Sequence, residues 1–149
     1  MADYNNNRLL RFDQAAGKAN GANADGVLGQ ADFTHNGGNR GGGVAANTLH
    51  GPTGVALDEA GRLWVADYWN HRVLRFDSAA SKANGANANG VLGQADFTHG
   101  NNNRGGSVAA NTLSYPWGVA LDEAGRLWVA DYNNNRVLAY ATTLRTQPH

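Results

Sequence analysis

The chain repeats itself with a period of 64 residues. Ala2–Val65 aligns without a gap on Ala66–Val129, with 51 of 64 positions identical. A third copy opens at Ala130 as ADYNNNRVL and runs into a divergent tail, AYATTLRTQPH. The chain therefore reads as one segment, 1–149, made of repeats 2–65 and 66–129 and a partial repeat 130–149. Repeats of this length that are rich in short strand signals are stacked supersecondary units, none of which can bury its faces alone. A closed ring of such units needs more copies than one chain holds, so self-association is the first functional expectation.

Composition narrows the class. Gly makes up 20 of 149 residues and Asn is abundant, while helix-forming runs at period 3.6 are missing. Twelve basic and twelve acidic side chains cancel, so no net field draws the protein to nucleic acid or an anionic membrane. Cysteine is absent, which removes any disulfide framework. No apolar run is long enough to span a bilayer, and no basic-then-apolar leader precedes the first repeat. The default expectation is a cytoplasmic protein.

Within one repeat, four short strands can be marked. Gly54–Asp58 is an apolar run of β character, closed by the turn Glu59–Gly61. Arg62–Asp67 follows, then a polar connection through His71, then Arg72–Asp77. After a Gly/Asn/Ala-rich stretch, Gly90–Phe97 reads as the fourth. The first two carry apolar side chains on both faces, so both faces should be covered. Four antiparallel strands covered on either side by neighbouring copies describe a propeller blade. The expected fold is all-β, a β-propeller of four-stranded antiparallel blades, with about two blades per chain.

Pro52–Asp77, PTGVALDEAGRLWVADYWNHRVLRFD, resembles the NHL repeat, and Pro116–Tyr140 resembles it equally. The marks are the Pro-x-Gly-Val-Ala opening, the Gly before the second strand, Val-Ala-Asp, and the Asn-x-Arg pair ahead of an apolar strand. VLGQADFT, at 27–34 and 91–98, is similar to the fourth-strand segment of a bacterial variety of these repeats. The resemblance implies a propeller, most often six-bladed, that serves mainly as a binding scaffold, with a few enzymes among its relatives. Naming the strands a to d outward, the chain reads c–d, a–b–c–d, a–b–c. Each copy advances a ring by two repeats, so three copies give six blades and four give eight. The homotrimer is the favoured partner state and the tetramer the alternative. At such a junction residues 2–12 and 130–140 would compete for one c-strand position.

The motif Asp-Tyr-x-Asn-x-Arg occurs three times, placing Asp3 and Arg8, Asp67, Asn70 and Arg72, and Asp131, Asn134 and Arg136 at equivalent positions. Its recurrence favours structure: Asp and Asn capping the b–c turn and Arg tying blades together. The competing reading is a ring of aspartates holding a cation in the channel of a metal-dependent lyase or lactonase. His35 and His99 recur as loop histidines, and Asn20–Gly26 reads as a flexible c–d connection. No metal site, cofactor or nucleophile–base pair is expected.

Of the thirteen differences between the full repeats, nine fall in the b–c turn or the d–a connection. In an antiparallel blade those connections share one face of the disc. Trp69, His71, Tyr115 and Trp117 should therefore gather on that face, where flat aromatic surfaces beside an imidazole suit a sugar ring or an apolar group. The expected function is a self-assembling, non-enzymatic scaffold with ligand or protein binding on the loop face.

Overall fold

The computed structural model describes residues 1–142, so the end of the third repeat, 143–149, lies outside the described residues. Ten strands form three antiparallel sheets. The first contains β1 (Ala2–Asp3), β2 (Arg8–Arg11) and β3 (Gly26–Leu28). The middle sheet is complete, with β4 (Pro52–Leu57), β5 (Leu63–Asp67), β6 (Arg72–Phe76) and β7 (Gly90–Leu92) in sequence order. The third has β8 (Pro116–Leu121), β9 (Arg126–Asp131) and β10 (Arg136–Ala141). The registers repeat as the sequence does: Val65 faces Leu74 across β5 and β6, and Val129 faces Leu138 across β9 and β10.

Two details differ from the sequence reading. The first sheet keeps a two-residue stub of strand b, β1, beside its c and d strands. The fourth strand is much shorter than Gly90–Phe97 and ends at Leu92. Gly93 takes φ +90, and a Cβ there would lie 2.6 Å from Leu113 Cδ1, so the backbone turns under Leu113 where only glycine fits. Beyond it the Gln94 amide donates inward to the carbonyls of His71 (2.9 Å) and Asn101 (2.8 Å) rather than continuing the ladder.

The sheets stack through two apolar clusters that are near-copies of each other. Leu9, Leu28 and Leu49 meet Val65, Leu74 and Phe76 at the first boundary. Their equivalents Val73, Leu92 and Leu113 meet Val129, Leu138 and Tyr140 at the second. Identical sequence takes different burial according to what covers it. In β5, Val65 and Ala66 point to opposite faces and both are fully buried. In β9, Leu127 and Val129 are buried while Trp128, between them, is exposed.

An Asp–Arg ion pair closes each boundary, fully buried at the first and with its arginine partly exposed at the second. Asp67 and Arg72 are both fully buried, with Arg72 Nε donating to Asp67 Oδ2 at 2.8 Å. Asn70 Nδ2 donates to the same oxygen, and the His50 N–H donates to Oδ1, each at 2.8 Å. The far side of the guanidinium donates to the carbonyls of Ala45 and Thr48, at 2.9 Å each, and to Phe97 at 3.0 Å. Ala45 and Thr48 belong to the d–a connection, so one arginine fastens the turn, the strand and the incoming loop. The third copy repeats this through Asp131, Asn134 and Arg136.

The c–d connections are held rather than loose. Asn84 Oδ1 accepts from the Val27 N–H (3.1 Å), and the Gly85 N–H donates to the Val27 carbonyl (2.9 Å), tying the middle sheet's loop to the outer strand of the first. Lys18 pairs with Asp25 at 2.9 Å inside the loop that carries Asn20–Gly26.

Replacing Arg72 by Met should cost about 3–5 kcal/mol, because it strands a buried carboxylate and three carbonyls. Arg8→Met, at the half-buried equivalent pair with Asp3, should cost about 1 kcal/mol or less. Urea midpoints of the two variants measure the difference, and equal shifts would refute the ranking.

Candidate functional site

The b–c turns and the d–a connections meet on one face, joined by backbone hydrogen bonds from Trp69 N–H to the His50 carbonyl and from Asn133 N–H to the Ser114 carbonyl, 3.1 Å each. Each b–c connection is a short 3-10 turn followed by a left-handed residue: Asn7 (φ 53), His71 (φ 52) and Asn135 (φ 55). Asn adopts this conformation readily. At His71 the constraint turns the imidazole under the aromatic side chains instead of into solvent.

On this face a continuous aromatic cluster crosses all three sheets. Tyr68 is its hub, meeting Trp69 edge-on at 5.2 Å between centroids, Tyr115 at 4.9 Å and Trp117 edge-on at 5.6 Å. Trp69 also meets Tyr115 edge-on at 5.5 Å, and His71 meets Tyr115 edge-on at 4.3 Å. Edge-to-face pairs at these separations contribute about 0.5–1.5 kcal/mol each beyond their area. Toward the first sheet, Trp69 Nε1 donates to Tyr4 Oη at 2.9 Å. Toward the third, Trp117 lies 6.5 Å from Tyr132. Trp69, Trp117 and Tyr132 keep exposed ring faces.

The structure thus brings Trp69, His71, Tyr115 and Trp117 together. A comparison of differing positions alone does not find Tyr68, Tyr4 or Tyr132, because they are identical in all three copies. The differences are also coupled. A side chain at Gly51, the counterpart of Tyr115, would place its Cβ 2.5 Å from the Trp69 indole. Glycine at the first boundary makes room for Trp69, and tyrosine at the second packs against it.

Burial lowers the His71 pKa below 6.5, with the charge of Asp131 opposing the shift. The Tyr115 N–H donates to His71 Nδ1 at 3.0 Å, which requires that nitrogen to be unprotonated. Burial and the surrounding Tyr4, Tyr132 and Tyr115 raise the Tyr68 pKa. The site at neutral pH is an uncharged aromatic platform suited to the C–H face of a sugar or an apolar group.

The recurring aspartates do other work. Both oxygens of Asp67 are occupied inside the protein, as are those of Asp131, where the Ser114 N–H donates to Oδ1 at 2.7 Å. Asp3 accepts from Asn6 and Arg8; burial pushes its pKa up, and these hydrogen bonds outweigh that and hold it below the usual value. No group of three or more His, Asp or Glu side chains is arranged to hold a metal ion among the described residues. His35 and His99 are exposed and pair with Asp32 and Asp96 at 2.8 and 2.7 Å. No helix among the described residues is long and apolar enough to cross a membrane.

Three stacked antiparallel sheets with loops gathered on one face define a β-propeller-like repeat protein. The family model of the NHL repeat matches residues 49–76 and 113–140, each spanning strands a to c of one sheet. The chain is 34% identical over 103 residues to NHL repeat-containing protein 2 of Gallus gallus, covering 65% of this chain and 12% of that protein. It is 32% identical over 96 residues to Protein SUPPRESSOR OF QUENCHING 1, chloroplastic, of Arabidopsis thaliana, covering 64% of this chain and 8% of that protein. The chain carries two NHL repeats, and it spans about an eighth or less of the length of these relatives.

A depressed imidazole pKa means the folded state binds its proton less readily than the unfolded chain. The resulting stability is fully present above the ordinary value of 6.5 and is lost as pH falls through the folded value. Protonating Nδ1 also breaks the bond from Tyr115. Tryptophan fluorescence should therefore change on acidification below pH 6.5, and His71→Gln should abolish that transition. A transition unaltered in the variant would assign it to another group.

Proposed function

We propose that this chain acts as a self-associating NHL-type scaffold, its copies meeting through their open sheet faces to close a propeller with the aromatic face as binding surface. The observation that carries the reading is a pair of identical side chains in unequal surroundings. Trp64 is 5% exposed and Val73 fully buried where the third sheet covers the middle one. Their counterparts Trp128 and Val137, on the uncovered face of the third sheet, are 39% and 61% exposed. The same repeat that covers one can cover the other, because the two inter-sheet clusters already present are built from matching residues. A uncovered face of this kind is an association surface.

Closing a ring adds one further junction without immobilising another chain, which favours closed over open assemblies. Three copies give the six blades that the NHL resemblance implies. The aromatic platform supplies the binding function, with Trp69 and Trp117 as the stacking surfaces. A metal-dependent lyase or lactonase would require Asp3, Asp67 and Asp131 to release their present partners, and no observation favours it.

Light scattering coupled to size exclusion measures the assembly directly. Three times the chain mass of 15.7 kDa is the expected result. Four times would replace six blades by eight, and a stable monomer would refute self-association. Binding on the aromatic face predicts quenching or a shift of tryptophan fluorescence on titration with neutral oligosaccharides, weakened by roughly tenfold in Trp117→Ala. No response across a panel would refute the carbohydrate reading.

A further inference from the structure

The bond between Tyr115 and His71 has a counterpart one repeat earlier, and the two differ in one chemical respect. At the first boundary the Gly51 N–H donates to Asn7 Oδ1 at 2.8 Å. At the second the Tyr115 N–H donates to His71 Nδ1 at 3.0 Å. Asn7 and His71 hold the same left-handed backbone, φ 53 and φ 52. An amide oxygen accepts at every pH, whereas an imidazole nitrogen accepts only while unprotonated. The same backbone contact is thus permanent at one boundary and titratable at the other.

The donor residue has changed as well. Gly51 takes φ +66, a conformation that glycine adopts without a steric penalty. Tyr115 stands at the equivalent position with φ 54. A bulky residue keeps such a backbone only where its surroundings hold it there. Here the His71 ring lies edge-on to Tyr115 at 4.3 Å between centroids, with Tyr68 and Trp69 at 4.9 and 5.5 Å. His71 closes the turn after β5 and Tyr115 directly precedes β8, so the bond spans the middle and third sheets of one chain.

We infer that His71 is an acid-sensitive latch on the aromatic face: neutral, it holds Tyr115 against Tyr68 and Trp69; protonated, it releases Tyr115 and takes the platform apart. The use of the platform as a binding surface rests on the function proposed above, while the latch rests on the contacts of His71 and Tyr115. On protonation Nδ1 gains a hydrogen that faces the Tyr115 N–H, so two donors meet where one bond stood. The strained backbone then loses its fixed partner and relaxes.

The groups around the imidazole set the direction. Burial keeps His71 neutral, and the charge of Asp131, at the end of β9, opposes burial without overcoming it. Asp131 itself is engaged by the Ser114 N–H, Asn134 and Arg136. Beside His71 in sequence, Arg72 is committed to Asp67. Tyr68 and Tyr115 are phenols, which stay neutral in the acid range, and Gln94 brings a neutral amide to the His71 carbonyl. The latch therefore opens in acid, below the ordinary histidine value of 6.5. A molecule stacked on Trp69 and Trp117 binds the closed form, so its apparent affinity follows the fraction still closed.

His71→Asn separates the latch from the fold, because the chain already uses an asparagine for this bond at Asn7. Near-UV circular dichroism reads the packing of the aromatic cluster, and the far-UV spectrum reads the sheets. From about pH 7.5 to about pH 5, the wild type should lose near-UV signal reversibly with its far-UV spectrum intact. His71→Asn should keep both. Titration with cellohexaose and maltoheptaose should show affinity falling roughly tenfold per pH unit below the midpoint in the wild type, and no fall in His71→Asn. A wild-type near-UV spectrum that does not change in acid overturns the latch. So does a loss that persists in His71→Asn, which would assign the transition to His50, whose ring lies 6.0 Å from Trp69. If neither sugar binds at neutral pH while the near-UV transition depends on His71, the carbohydrate reading fails and the latch stands.

Discussion

The structure depends above all on the buried pair between Asp67 and Arg72 and its repeats. Two fully buried charges are tolerable only when every hydrogen-bonding direction is met, and that requirement reaches well beyond the pair. To supply Asn70 and the His50 N–H to the carboxylate, the b–c turn must curl over strand b and the d–a connection must pass beside it. To meet the guanidinium, the carbonyls of Ala45 and Thr48 must arrive from the preceding sheet's connection. One arginine thereby couples three consecutive pieces of chain and sets where a sheet stands against its predecessor. The aromatic face follows from the same constraint, because the loops that carry Trp69, Tyr115 and Trp117 are those the pair draws together.

Near-identity of the repeats separates local from tertiary causes. The segment RLWVAD occurs at 62–67 and 126–131 with the same strand conformation and the same Asp–Trp and Arg–Trp contacts. The two copies differ in what covers them, and Trp64 and Trp128 differ in burial for that reason alone. Trp128, held in one orientation on an open sheet face, is the kind of apolar surface that the proposed association would cover. The function proposed for the chain grows from this imbalance, while the aromatic platform grows from positions where the repeats have diverged together, as Gly51 and Tyr115 show on either side of Trp69.

Much of this was legible in the residues. The 64-residue period, the strand order and a structural role for each Asp-Tyr-x-Asn-x-Arg motif follow from repetition and from β and turn propensities; that Asp pairs directly with Arg does not. The grouping of Trp69, His71, Tyr115 and Trp117 followed from topology, since antiparallel strands return their b–c and d–a connections to one side. Less legible was the end of strand d. Gly90–Phe97 reads as eight residues of strand, yet Leu113 from the following connection occupies the space above Gly93 and turns the backbone away.

By itself the sequence determined which units exist, how they repeat and which connections share a face, because those are properties of local propensity and of order along the chain. Only the tertiary structure decided that Tyr68 is the hub of the aromatic cluster, that His71 is buried and accepts a hydrogen bond, and that one tryptophan is covered while its twin is bare. These are properties of distance between residues far apart in sequence. Identical side chains acquire different roles according to the neighbours that packing brings to them.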